Sequence, residues 1–397
     1  MINELLPPKR ILMGPGPSDV HPHVLKAMST PLVGHLDPAF LTIMDETMEL
    51  LRQVYQTKNK ATMAMSGTGS AGMETVFANL LEPGDQALIG VNGLFGQRMA
   101  DVAERCGAKV IQVQAPWGEI IQPQQIKEVL SQHKQIKLVA IVHAETSTGV
   151  CQPLREISSI AHDHGALFVC DMVTSLGGCP TEIDSIGVDA AYSGTQKCLS
   201  APPGLSPVTF GSRALEAMDK RNTKVQSWYL DLSMIQAYWS EASERFYHHT
   251  APITMIYSLR EALRLIADEG IDHVHARHAL YGGALQAGLE AMGLKLLVEP
   301  AHRLPQLTCV YIPEGVDDLA VRQRLLHKYS LEIGGGLGVF KGKVWRIGLM
   351  GYNARQENVT YLLAALEDVL REENGRIQEG AALAAAGQWL KKEAACR

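Results

Sequence analysis

Ala61-Thr62-Met63-Ala64-Met65 is an apolar run that stops at Ser66-Gly67-Thr68-Gly69-Ser70-Ala71-Gly72, after which helical apolar spacing resumes over 71–81. A strand, a glycine turn and a helix in that order form half of a unit that recurs along the chain. Downstream, Pro83-Gly84-Asp85 turns the chain into a strand over 86–91, a helix over 96–105 and a strand over 108–113. A helix near 123–132, a strand at 137–142, a helix at 154–164 and strands at 166–170, 189–193 and 206–210 continue the series. Upstream, apolar spacing from Asp37 to Gln56 is helical, and Ser18 is placed to cap a short helix after the proline-rich Gly14-Pro15-Gly16-Pro17. Strands alternating with helices predict an α/β fold, a mostly parallel sheet sandwiched by helices. In such sheets ligands sit outside the carboxyl ends of the strands.

Beyond a long helix at 252–268 the order changes to helix 272–292, strands 294–298 and 306–312, helix 317–327, strands 330–333 and 343–349, and helix 355–372. That is a smaller α+β region. The expected organisation is an N-terminal arm over 1–17, a large domain over 18–270, a small C-terminal domain over 271–378, and an Ala-rich tail over 379–397 able to form a terminal helix.

The 397 residues are 46% apolar and 20% charged with a net charge of -6, ordinary for a soluble enzyme. Without a Lys/Arg block, neither a nucleic-acid footprint nor a basic membrane patch is expected. No apolar run approaches the length of a spanning helix. The seven cysteines, at 106, 151, 170, 179, 198, 309 and 396, form no C-x-x-C pair, so free thiols in a reducing compartment are expected. With neither a secretory leader at Met1–Pro8 nor a Ser-Lys-Leu terminus, the expected location is the cytoplasm.

The chemistry concentrates at strand ends. Ser193-Gly194-Thr195-Gln196-Lys197 ends in a lysine, and Leu167-Phe168-Val169-Cys170 ends at Asp171. A lysine on a short Gly/Ser turn with an acid at a strand terminus suits pyridoxal phosphate. That cofactor needs an amine to hold its aldehyde as a Schiff base and a carboxylate to keep its ring nitrogen protonated. A surface lysine and a helix-capping aspartate is the plainer alternative. The 66–72 turn offers backbone N–H groups, hydroxyls and a helix N-terminus to a phosphate. Gly67, Gly69 and Gly72 also fit G-x-G-x-x-G, but a dinucleotide site expects an acid at the end of the next strand, where Ile89-Gly90-Val91-Asn92 has none. Phe95 is placed to stack on a planar ring or to pack in the core. In His143-Ala144-Glu145-Thr146 the threonine can donate to a cofactor oxygen, while His143 and Glu145 orient the loop. Arg346 lies on an apolar strand and needs an anion, either a substrate carboxylate or a structural partner. Gly334–Gly338 is a loop. Tyr247 and Thr250 flank adjacent His248 and His249, whose spacing does not make a zinc site, and no metal is expected.

In this order, Ser66–Ser70, His143–Gly149, Cys170–Gly178, Tyr192–Lys197, Ala201–Gly204, Tyr247–Thr250 and Val344–Gly351 resemble the alanine–glyoxylate and serine–pyruvate aminotransferases. These are class V members of the fold-type I pyridoxal phosphate enzymes, and the resemblance runs from about Leu12 to Leu370. It implies Lys197 as the Schiff-base lysine, Asp171 on the pyridine nitrogen and Phe95 on the ring face. Thr146 would lie at the phenolic oxygen, with Thr68, Gly69 and Gln196 at the phosphate and Ser70 in the floor of the ring site. Tyr247 and Thr250 would reach the cofactor of a second subunit in a homodimer. Arg346 would hold the substrate carboxylate, with Gly34 of a partner donating from its backbone. Phe95 and Ser70 depart from relatives that carry tryptophan and histidine there. The implied reaction is ping-pong transfer from alanine or serine to glyoxylate or pyruvate. The alternatives are a kynurenine or 3-hydroxykynurenine transaminase and a non-catalytic subunit of the same fold. Cysteine desulfuration is disfavoured because Gly334–Gly342 contains no thiol.

Overall fold

The structure is a computed structural model that describes residues 2–240 and 245–395. Cys396 lies outside the described residues.

Seven strands form the central sheet, in the order Ala61–Ser66, Leu205–Phe210, Ala190–Tyr192, Leu167–Asp171, Ile136–Val142, Gln86–Val91, Lys109–Gln114. Leu205–Phe210 runs antiparallel to both neighbours and the other pairings are parallel. Leu167–Asp171 is buried throughout, as a strand covered on both faces must be. The helices Gly69–Leu80, Leu94–Arg105, Pro38–Tyr55 and Ile253–Glu269 contribute Phe77, Met99, Met44 and Leu259 to the same large core. Local signals set their limits. Asp37 Oδ1 accepts from the Ala39 amide at 2.8 Å at the start of Pro38–Tyr55, and Gln56 closes it in the left-handed region.

A second core gathers around the antiparallel strands Leu307–Tyr311, Val344–Gly348 and Gly334–Gly335. Three helices, Ile271–Ala291, Asp318–Tyr329 and Gln356–Glu372, cover it. Gly334–Gly335 was expected as loop. Its pairing with Arg346 and Trp345 makes it an edge strand instead. The tail forms the helix Ala381–Ala395, with Ala382 and Ala386 buried in this core and Trp389 Nε1 donating to the Leu280 carbonyl at 3.1 Å. The arm belongs here too. Ile11–Leu12 pairs with Leu331–Glu332, and Met13 is fully buried in the second core.

Two further expectations fail. Ser18 does not cap a helix: the first helix is Pro22–Met28, capped by His21. Ser18 is engaged elsewhere, donating from its amide to the Gln196 carbonyl at 2.9 Å and from its hydroxyl to the Lys197 carbonyl at 2.7 Å. Residues 294–298 do not form a strand. Leu296 makes one bridge to Val310, and the chain then turns at Pro300–His302, with Arg303 Nε donating to the Val298 carbonyl at 2.8 Å.

Candidate active site

Strand register brings the central acid to its place. Asp171 ends its strand opposite Tyr192 on the neighbouring parallel strand, so both side chains leave the sheet on one side. The Tyr192 hydroxyl donates to Asp171 Oδ2 and the Val173 amide to Oδ1, each at 2.9 Å. Asp171 is 2% exposed, and burial pushes its carboxyl up to about 6 despite those two donors and nearby Lys197; Glu145 pushes the same way. Such a carboxylate is held in one orientation and lacks a directly bonded cation.

Five residues after Tyr192 the chain reaches Lys197. Its turn is clamped by Ser18 and by Ser200, whose amide donates to the Lys197 carbonyl at 3.0 Å. The Lys197 ammonium donates to the Pro15 carbonyl of the arm. Burial lowers its pKa to about 8, helped by the charge of Arg346 and opposed by Cys198 and Asp171. Gly16 is needed here: its φ is +102° and a Cβ would lie 2.5 Å from Lys197 Nζ.

Arg346, 8% exposed, spends its bonds on main-chain carbonyls, Nε on Gly335 at 2.8 Å and Nη1 on Thr146 at 3.2 Å. Burial lowers its pKa. The fork is thus positioned with its charge unanswered, which suits an incoming carboxylate. The Thr146 hydroxyl lies 2.5 Å from that of Thr174, on the segment that follows Asp171.

The glycine turn joins the same place. A Cβ on Gly69 would lie 3.4 Å from Val173 and 3.5 Å from the Ser193 carbonyl, so the helix Gly69–Leu80 begins against the strand ends bearing Asp171 and Lys197. Gly67 has φ +144° and its Cβ would meet Ala71 at 2.6 Å, so a side chain would open the turn. Thr68 caps this helix by position without a side-chain bond, leaving its exposed hydroxyl available along with that of Ser70. Gln196 Oε1 is buried without a hydrogen-bond partner.

Phe95 is half-buried with the Arg98 guanidinium 5.0 Å from its ring centre. Its place depends on Glu145, fully buried, whose Oε2 accepts from the Phe95 amide at 3.2 Å while Oε1 accepts from Ser147. Tyr247 and Thr250 do not join the buried group. Both are exposed, their hydroxyls 3.3 Å apart. Gly34 likewise sits between exposed Leu32 and Leu36. Sequence reasoning missed Tyr192, Thr174 and the 2.6 Å contact of Ser66 Oγ with His249 Nε2, which ties the 245–250 segment to the phosphate turn. None of the three carried a local signal; the register of two adjacent parallel strand ends sets Tyr192 beside the acid.

The buried set fits pyridoxal phosphate. Among the described residues, an oriented acid has no bonded cation, an amine with lowered pKa faces a carbonyl, and an arginine has no bonded carboxylate, while the helix Gly69–Leu80 begins beside them. A profile of the aminotransferase class-V family matches residues 14–362. The chain belongs to the class-V aminotransferases. It is therefore an aminotransferase of a pyridoxal phosphate-dependent family. It is 43% identical to (S)-ureidoglycine–glyoxylate transaminase of Bacillus subtilis, over 96% of each chain. It is also 43% identical to the alanine–glyoxylate aminotransferase of Mus musculus, over 92% of this chain and 88% of that one. The crystal structure of an alanine–glyoxylate aminotransferase from a Nostoc species superposes with a TM-score of 0.91 at 52% identity, covering 94% of this chain and 98% of that one.

Proposed function

We propose that this class-V aminotransferase moves the amino group of a small amino acid, alanine or serine, to glyoxylate or pyruvate by a ping-pong reaction. The observation that carries the reading is Arg346, buried, aimed by two carbonyls and without a carboxylate of its own. The relatives' names supply glyoxylate as first choice of acceptor.

In this reading Lys197 carries the cofactor covalently and Asp171 receives the ring N–H. Phe95 and Thr146 would hold the ring, and Thr68, Gly69, Ser70 and Gln196 would hold the phosphate. When bound, pyridoxal phosphate supplies an electron sink for the bond broken at the substrate's α-carbon. Arg346 holds the substrate carboxylate, fixing which α-bond faces Lys197. With the substrate in place, the Lys197 amine would take the α-proton at Nζ and hold it for return. Its pKa of about 8 leaves an appreciable neutral fraction near neutral pH. Tyr192 and the Val173 amide keep Asp171 in one plane throughout.

Tyr247, Thr250 and Gly34 serve the cofactor and substrate of a second subunit, which makes the enzyme a homodimer. Their exposure on the isolated chain, beside exposed Leu32, Leu36, Trp228 and Phe246, supports this. The two separate hydrophobic cores support a division into an arm over 1–17, domains over 18–270 and 271–378, and a tail from 379. The six described cysteines are free, which supports a reducing compartment, the cytoplasm. Among the described residues, no helix is long and apolar enough to cross a membrane.

Half-reactions followed by absorbance decide the donor. The purified enzyme is mixed with alanine, serine, (S)-ureidoglycine or 3-hydroxykynurenine, and loss of the visible cofactor band is timed. Alanine or serine is expected to react fastest. A clear preference for 3-hydroxykynurenine would replace the proposal with the aromatic alternative, and a colourless protein that cannot be reconstituted would indicate a non-catalytic subunit.

A further inference from the structure

His143 and Cys151 flank one short hairpin and Cys179 lies 28 residues further on, and their ligand atoms fall within 4.8 Å of one another. The imidazole ends the strand Ile136–Val142, the first thiol ends the Ala144–Cys151 hairpin that carries Thr146, and the second sits in the turn after Asp171. His143 is 6% and Cys179 7% exposed, and His143 Nδ1 is buried with no hydrogen-bond partner. The Cys179 thiol and the His143 imidazole both hold the Cys151 thiol pKa well below its ordinary value, so the three groups already act on one another, and the bare Nδ1 leaves room for a further ligand. Cys151, partly exposed, packs against the apolar group Ala144, Cys198, Leu304, Leu307 and Met350. Gln306 closes the remaining side. Its Nε2 donates to the Thr174 carbonyl at 2.9 Å and approaches Cys179 Sγ at 3.6 Å, while Oε1 has no partner.

We propose that His143, Cys151 and Cys179 bind a thiophilic divalent cation, zinc in the first place, at a structural site separate from the catalytic residues. Two thiolates and a neutral imidazole around a divalent ion sum to zero charge, the condition under which an ion can be buried cheaply. In a tetrahedral zinc site neighbouring ligand atoms lie about 3.3–3.8 Å apart, so the cluster needs to contract by roughly 1 Å. The fourth position falls to water or to Gln306 Oε1. A disulfide between the thiols is the competing outcome, but it would leave His143 Nδ1 unsatisfied. The ion would staple the hairpin bearing Thr146 to the turn bearing Thr174, whose hydroxyls already touch. This inference holds whichever amino acid is the donor.

The test uses the full-length, cofactor-loaded enzyme without a histidine tag. After equilibration with zinc and gel filtration, metal analysis is expected to find about one zinc per chain. Exchange with cobalt is expected to give ligand-field bands in the red, clear of the cofactor's absorbance. His143→Ala and Cys179→Ser are expected to weaken metal retention at least about tenfold, while Cys106→Ser retains it. Should the site variants fail to fold, zinc protection of Cys151 and Cys179 from alkylation in the wild-type enzyme answers the same question. A folded, fully coloured enzyme that retains no zinc and shows no cobalt bands overturns the proposal. So does a Cys151–Cys179 disulfide in mass spectra of the unreduced protein.

Discussion

Asp171, Lys197 and Arg346 are 2%, 8% and 8% exposed, whereas Tyr247 is 58% exposed and Thr68, Ser70 and Thr250 lie at the surface. The inner wall is positioned by this chain alone. Tyr192 and Val173 aim the acid, the arm and Ser200 hold the amine's turn, and two carbonyls aim the guanidinium. At the rim, among the described residues, the hydroxyls of Tyr247 and Thr250 pair with each other. Buried polar groups must be satisfied or the fold loses stability, so the wall carries its own supports. Exposed ones cost nothing while they wait, so the rim can depend on a second molecule. Substitutions in the wall should therefore act on chemistry or on the substrate, and those in the rim on cofactor affinity.

Lys197→Ala is expected to have the largest effect, lowering turnover roughly a thousandfold or more and abolishing the visible band of covalently held cofactor. Retained turnover in that variant would move the reactive amine elsewhere. Arg346→Ala should keep the band but raise the KM for the amino donor about 30- to 150-fold, as loss of roughly 2–3 kcal/mol of charge-assisted bonding requires. An unchanged KM would make Arg346 a structural residue. Tyr247→Phe should weaken cofactor binding about fivefold, the usual worth of one hydrogen bond, with turnover at saturating cofactor little changed. If turnover falls instead, the separation of wall from rim fails.

The smallest effect is on stability. Asp171 rises from 3.8 to about 6 on folding, so between these values the folded state keeps a proton that the unfolded chain releases. Its contribution is full below 3.8 and is lost as pH rises through about 6. In cofactor-free protein, Asp171→Asn should therefore lose less Tm than wild type between pH 4 and 6. Parallel Tm curves for the two proteins would show that the carboxyl is not perturbed.

Much of the wall was legible. Lys197, Asp171 and Arg346 each stand where the local pattern breaks, a charge ending or interrupting an apolar run, and the parallel sheet gathers strand ends at one edge. Tyr192 was hidden because one more apolar residue in a strand carries no local sign of facing the acid. Ser18 was misread because its hydroxyl serves a carbonyl 179 residues away rather than a nearby helix. The 294–298 segment has strand composition but only one bridge, since the following turn draws the chain off. The cluster of His143, Cys151 and Cys179 matches no metal-binding spacing, because its ligands arrive from three strand and turn ends.

The amino-acid sequence by itself determined the alternation of strands and helices, the two glycine-bearing turns at strand ends and the charged residues set in apolar runs. These follow from period, turn chemistry and side-chain polarity, all of which act over a few residues. Only the tertiary structure decided that Tyr192 holds Asp171, that the arm reaches Lys197 and that main-chain carbonyls aim Arg346. Burial and partnership are properties of what the rest of the chain brings near, and no local pattern contains them.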